Sequence, residues 1–164
     1  MLQNKQLSPQ RRIMAVLAGG FLGTITRYLL SMLVQGWLGK SLPYDIFFIN
    51  ISGAFALAFI TTLAEAAFFI GPTRRLFINV GFLGAYTTFS SLALGDVQLF
   101  ASSHMFAAVF YLFLSIFCGV VAVIIGEYAG TRFMRVIGSS QMWRVNHIAP
   151  IMQERLDEQD NVRV

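Results

Sequence analysis

Apolar residues run along this chain in four long blocks separated by short polar breaks. The blocks cover residues 13–34 (interrupted by Arg27), 46–63 continuing to 70 past Glu65, 76–94, and 105–126. A helix needs about 20 residues to cross a hydrocarbon core, and each block is near or above that length. The breaks are short, which favours an antiparallel helical bundle. The first, 36–45, contains Pro43, which stops a helix from straying into it; Gly71-Pro72 punctuates the second; residues 95–104 are expected to form the third. The pattern predicts an all-α, polytopic membrane protein: a four-helix transmembrane domain over 1–131, then a cytoplasmic tail over 132–164. In that tail, 131–151 mixes arginines with Phe133, Met134, Met142 and Trp143, as an interfacial helix would. From Glu154 onward the charged residues read as a frayed end. There is no internal repeat.

The third block departs from the pattern of a lipid-facing helix. Residues 76–94 carry no charge, yet their centre reads Gly84-Ala85-Tyr86-Thr87-Thr88-Phe89-Ser90-Ser91. Hydroxyls and loosened backbone at the membrane midplane survive only when buried in protein or lining a wet cavity. The third helix should therefore be broken at a pore or binding site.

Composition agrees with membrane residence: 56% of the 164 residues are hydrophobic and 12% charged, against about 25% charged in soluble domains. The distribution of the +4 net charge carries more information than its size. Lys5, Arg11, Arg12, Arg74, Arg75, Arg132, Arg135, Arg144, Arg155 and Arg163 fall on one side of the membrane, and only Lys40 on the other. Under the positive-inside rule both termini are cytoplasmic, in the inner or plasma membrane. The basic excess is thus a topology signal, not a nucleic-acid footprint. The single cysteine, Cys118, lies within the fourth block and reads as a packing residue. The first block is too long for a signal-peptide core and has no small-x-small site after it, so it reads as a retained helix.

Most motif-like features are bland. Gly36-Trp37-Leu38-Gly39-Lys40-Ser41 lacks the first glycine of a phosphate-binding loop, whose place Val34 takes. His104 and His147 stand without partners at metal-ligand spacing, and the sequon Asn50-Ile51-Ser52 falls within a span. Gly19–Gly23 and Gly126–Gly130 fit small-xxx-small helix packing, while Glu65 and Glu127 sit near span ends. Arg27 is well inside the first block, where an unpaired arginine is costly; it belongs inside the bundle or snorkels. Asn50 brings two amide donors into the second block. Thr87, Thr88, Ser90 and Ser91 bring hydroxyls, and Phe89 a ring whose positive edge can meet an anion. With no acidic residue expected in mid-span, a site of donors and ring edges favours a small anion.

Three segments in order resemble the Fluc fluoride channels, also called the CrcB family. They are Gly19-Gly20-Phe21-Leu22-Gly23-Thr24-Ile25-Thr26-Arg27-Tyr28, Asn50-Ile51-Ser52-Gly53-Ala54-Phe55, and Gly81-Phe82-Leu83-Gly84-Ala85-Tyr86-Thr87-Thr88-Phe89-Ser90-Ser91. The resemblance runs from about residue 12 to 132. It implies four-helix subunits paired antiparallel, with two fluoride pores at the dimer interface. It also implies a central sodium ion held by backbone carbonyls, here those of Gly84 and Thr87. Asn50 matches the pore asparagine, Phe89 the first pore phenylalanine, Ser90 the polar part of the third helix, Tyr111 and Ser115 a polar track on the fourth, and Arg27 the first-helix arginine.

One departure stands out: the second pore phenylalanine is replaced by Leu92, so one ring edge is missing. The resemblance implies a passive fluoride exporter, not an enzyme, in contact with fluoride, membrane lipid and a partner subunit. That partner is either a second copy or an oppositely oriented paralogue; Leu92 and the lopsided charge keep a weakly conducting partner subunit open. A small drug/proton antiporter would need an acidic residue in the first block, which has none.

Overall fold

The computed structural model describes residues 8–66 and 71–161, with side chains over 8–65 and 71–137. The chain divides into two units, 1–130 and 131–164. Five helices make up the described chain: α1 (Pro9–Leu38), α2 (Tyr44–Ala66), α3 (72–86), α4 (Phe89–Ala101) and α5 (Met105–Asn161). No strand occurs among the described residues. Four stretches are long and apolar enough to cross a membrane, namely Pro9–Leu38, Tyr44–Glu65, Pro72–Ala101 and Met105–Ile137. The third is α3 followed by α4, so the expected broken helix is present. Residues 67–70, where the second block is expected to end, lie outside the described residues.

Local chemistry sets the helix ends. Pro9 occupies the first turn of α1, where its missing N–H costs nothing. Gly39 ends that helix at φ 79°, its N–H bonded to the Gln35 carbonyl, a conformation suited to glycine. Pro72 opens α3 in the same way as Pro9. Between α4 and α5 the expected connection 95–104 shrinks to Ser102, Ser103 and His104, because α4 remains helical to Ala101. Gly95 serves packing here: a Cβ on it would meet the Pro43 ring at 3.0 Å. The correction puts Asp96 near the end of a membrane-spanning helix, with no acidic residue at the middle of that span.

The pattern gave no sign that residues Leu76–Leu83 of α3 form a π-helix. This wide segment lies against α1 along a glycine seam. A Cβ on Gly19 would sit 2.2 Å from the Phe77 carbonyl oxygen, and one on Gly23 2.2 Å from that of Phe82. Reciprocally, a Cβ on Gly81 would approach the Val16 carbonyl at 2.7 Å. A second close seam forms where Gly126 faces the Phe55 carbonyl and Gly130 faces Thr62. Both expected glycine pairs therefore pack backbone against a neighbouring helix.

Two small clusters are buried within the first unit: Ile49, Leu83 and Tyr86, and Leu92, Leu99, Ala108 and Tyr111. Large apolar side chains such as Phe106, Phe113 and Ile124 face outward, as lipid or a partner helix requires. In the second unit the backbone stays helical to Asn161 instead of fraying from Glu154. Side chains from 138 onward, with the interfacial placements expected of Met142 and Trp143 and the surface one of His147, lie outside the described residues.

The seam makes a clear prediction. Gly19→Val and Gly23→Val should lose the monodisperse detergent-solubilised species, because the obstructing atoms are backbone. Gly36→Ala, which meets nothing within 4 Å, should elute normally in size-exclusion chromatography. A normal profile for both valine variants would contradict this packing.

Candidate functional site

The third span breaks at two residues. Thr87 (φ −77°, ψ 154°) and Thr88 (φ −151°, ψ 118°) are extended between the end of α3 and the start of α4. An interrupted helix leaves donors and acceptors that lipid cannot satisfy, and Asn50 on α2 takes up part of them. Thr88 N–H donates to Asn50 Oδ1 at 2.8 Å, and Asn50 Nδ2 donates to the Thr88 carbonyl at 3.0 Å. The side-chain amide thus pairs with the chain as a neighbouring strand would. One amide hydrogen of Asn50 remains for another acceptor.

The rest of the Asn50 motif supports the same point. Ser52 Oγ lies 2.8 Å from the Tyr86 hydroxyl, fixing the last residue of α3. Gly53 leaves room for its neighbours: a Cβ there would come within 2.3 Å of Thr87 Cγ2 and 3.1 Å of the Tyr86 ring. On the far side of the break, Thr88 caps α4 by accepting from Ser91 N–H at 3.2 Å. Its hydroxyl also contacts Ser90 Oγ at 3.2 Å and Ser91 Oγ at 3.1 Å.

These bonds have a consequence for the backbone. In an unbroken helix Thr88 N–H would bond the Gly84 carbonyl, and Ser91 N–H the Thr87 carbonyl. Asn50 diverts the first donor and the Thr88 hydroxyl diverts the second. The break leaves the carbonyls of residues 84–87 without helical donors, and those of Gly84 and Thr87 are among them. Gly84 is exposed and has no side chain to cover its oxygen.

The remaining expected site residues separate into two environments. Phe89 is 80% exposed at the start of α4, and Ser90 beside it is also exposed. Leu92 is 7% exposed and packs in the core with Tyr111. The Tyr111 hydroxyl donates to the Pro43 carbonyl at 3.3 Å. One turn along α5, the Ser115 hydroxyl is buried without a partner of hydrogen-bond length. Arg27 is half-buried on α1 and makes no hydrogen bond or ion pair among the described residues. The structure brings Asn50, Thr88, Ser90 and Ser91 together, and Leu92 with Tyr111. It leaves Phe89 on open surface and Arg27 apart.

Residues 14–127 match the family model for CrcB-like protein, Camphor Resistance (CrcB). The chain belongs to the CrcB family. Among its relatives, the "Fluoride-specific ion channel FluC" of Trichormus variabilis is 42% identical over 121 residues, covering 73% of this chain and 88% of the relative. Proteins of the same name from Bacteroides fragilis (36% over 126 residues; 75% and 98%) and Synechocystis sp. (34% over 122 residues; 74% and 94%) match as extensively. As a CrcB protein with four spanning-type helices, the chain is a multi-pass protein of the inner membrane.

A cluster of three polar residues is among what escaped the sequence reading. Asp45, only 4% exposed, accepts from Ser31 Oγ and, at 2.8 Å, from Gln35 Nε2. The i, i+4 spacing of Ser31 and Gln35 puts both on one helix face, but nothing local pairs that face with Asp45.

The position of Leu92 yields a direct test. Leu92→Phe adds volume to a packed cluster, and overpacking costs about 1–3 kcal/mol. The variant should melt several degrees below the parent in a detergent thermal-shift assay; an unchanged or raised melting temperature would show spare room at this position.

Proposed function

We propose that this chain forms a fluoride-selective channel that lets cytoplasmic fluoride leave the cell passively. The observation that carries the reading is the break at Thr87–Thr88: donor groups gathered at mid-membrane depth without a carboxylate bonded among them. Fluoride is small and strongly hydrated, so a path must offer hydrogen-bond donors in place of its water. The spare amide hydrogen of Asn50 and the hydroxyls of Ser90 and Ser115 are such donors, that of Tyr111 becomes one on leaving the Pro43 carbonyl, and the exposed ring of Phe89 offers a positive edge. No energy source is needed: hydrogen fluoride enters as a neutral acid, dissociates in the cytoplasm, and leaves a trapped anion with a gradient outward. The chemistry is transport, so no residue is assigned a catalytic role.

The proposal extends to assembly. Phe89 and Gly84 lie on open surface, so a pore wall here needs a second subunit, and antiparallel pairing would place two such faces together. Sodium fits the face as well. The freed carbonyls of Gly84 and Thr87 are hard oxygen donors, fewer than a sodium ion requires, and a partner's pair would add to them. Bound there, sodium would supply a central positive charge tying the two broken helices together. The partner is a second copy or an oppositely oriented paralogue. The paralogue reading draws on the ten-to-one division of lysine and arginine between the two sides, since orientation follows that bias.

Liposome efflux read with a fluoride electrode tests the function. The chain, alone or with its paralogue, should release fluoride far faster than chloride. Asn50→Asp should assemble normally yet lose at least nine-tenths of the flux (about 1.4 kcal/mol or more at the barrier), because a carboxylate in a low-dielectric path repels an anion. Fluoride and chloride release both at the protein-free rate would refute the channel, and full flux through Asn50→Asp would remove Asn50 from the pathway.

A further inference from the structure

On the Lys40 side of the bundle, a cavity of about 540 Å³ lies between the end of α1, the start of α2 and the length of α4. Its polar lining includes Ser31, Gln35, Lys40, Asp45, Ser91 and Gln98. Ser91 connects the cavity to the helix break, since its Oγ accepts from the Thr88 hydroxyl. The cavity thus leads from the Lys40 side toward the break.

The charges around this approach have the wrong sign for an anion. Asp45 is almost wholly buried, and the groups bonded to it, Ser31 and Gln35, are neutral. They satisfy its lone pairs as neutral partners, and no ion pair forms with it among the described residues. On α4, beside the cavity-lining Gly95, Asp96 has a carboxylate oxygen buried without a partner. The Tyr111 hydroxyl faces the carbonyl of Pro43, another residue of the cavity lining. Lys40 is the one basic residue lining the cavity, is exposed, and forms no ion pair among the described residues.

We propose that Asp45 and Asp96 form an anionic mouth that restricts fluoride entry from the Lys40 side, with Lys40 opposing them. The inference rests on the channel reading above. A cleft with low-dielectric walls concentrates the field of its charges and depletes ions of like sign. Asp45 precedes Asn50 by five residues on α2, about 7.5 Å along the axis. That distance is well inside the Debye length of about 30 Å at 0.01 M salt and beyond the roughly 3 Å at 1 M. Throughput should consequently depend on ionic strength in a way that tracks these side chains.

The test is fluoride efflux from liposomes at 10 and 300 mM potassium isethionate, osmotically balanced with sucrose. The parent protein should speed up on the order of threefold with salt, as screening weakens the mouth's repulsion. Asp45→Asn and Asp96→Asn should each run about twice as fast as the parent at low salt, with a flatter salt response, whereas Lys40→Gln should be slower at low salt. A purely structural role for Asp45 cannot produce opposite signs for the acidic and basic variants. If Asp45→Asn does not elute as the parent does, Asp96→Asn and Lys40→Gln decide. A salt response in Asp96→Asn equal to the parent's, or a faster Lys40→Gln, overturns the proposal while the channel stands. Parent flux at the protein-free rate overturns both.

Discussion

The exchange of hydrogen bonds between the Asn50 amide and the backbone of Thr88 is the interaction on which the rest of the site depends. A helix interrupted within a membrane must find other partners for its freed groups, each of which would otherwise cost several kcal/mol in hydrocarbon. Asn50 supplies a donor and an acceptor from one planar group, so a single side chain holds both sides of the Thr88 peptide unit. Everything placed by the break follows from that hold: Phe89 leads outward, Ser90 and Ser91 gather on the Thr88 hydroxyl, and the carbonyls of Gly84 and Thr87 are released.

The hold needs rigid neighbours. Gly19, Gly23 and Gly81 let α1 and α3 meet backbone to backbone, which fixes the helix entering the break. Ser52 fixes its last residue through Tyr86. Beyond the break, Leu92 and Leu99 anchor α4 in the core shared with α5. Leu92 replaces a phenylalanine expected from the family pattern, and its burial explains why this side chain contributes packing within its own subunit. The exposed face that carries Phe89 and Gly84 is the one left for a partner.

Much of this was legible in the sequence. The four spans follow from apolar blocks of membrane length, and the break follows from glycine, threonine and serine where uniform apolar residues belong. The Gly19–Gly23 and Gly126–Gly130 spacings correctly indicated close packing. What could not be read depends on contacts distant in sequence. Gly95 and Asp96 look like the start of a turn, yet Pro43, about a third of the chain away, makes Gly95 a packing residue within α4. The π-helix at Leu76–Leu83 has no local signature, since its apolar composition suits an ordinary helix equally well. Asp45 looked like the end of a connection until Ser31 and Gln35 were brought to it from α1. Leu92 could be aligned with a pore position, but which way it faces is set by its packing against Ala108 and Tyr111.

The central claim is that Asn50 diverts the Thr88 amide and thereby frees the Gly84 carbonyl. Isotope-edited infrared spectroscopy with a ¹³C=¹⁸O label at Gly84 in the reconstituted protein tests it most directly. The account predicts a labelled band at the frequency of a carbonyl without a helical hydrogen bond, moving to the helical frequency in Asn50→Ala as the Thr88 N–H returns to it. A Gly84 band already at the helical frequency in the parent protein would contradict the account.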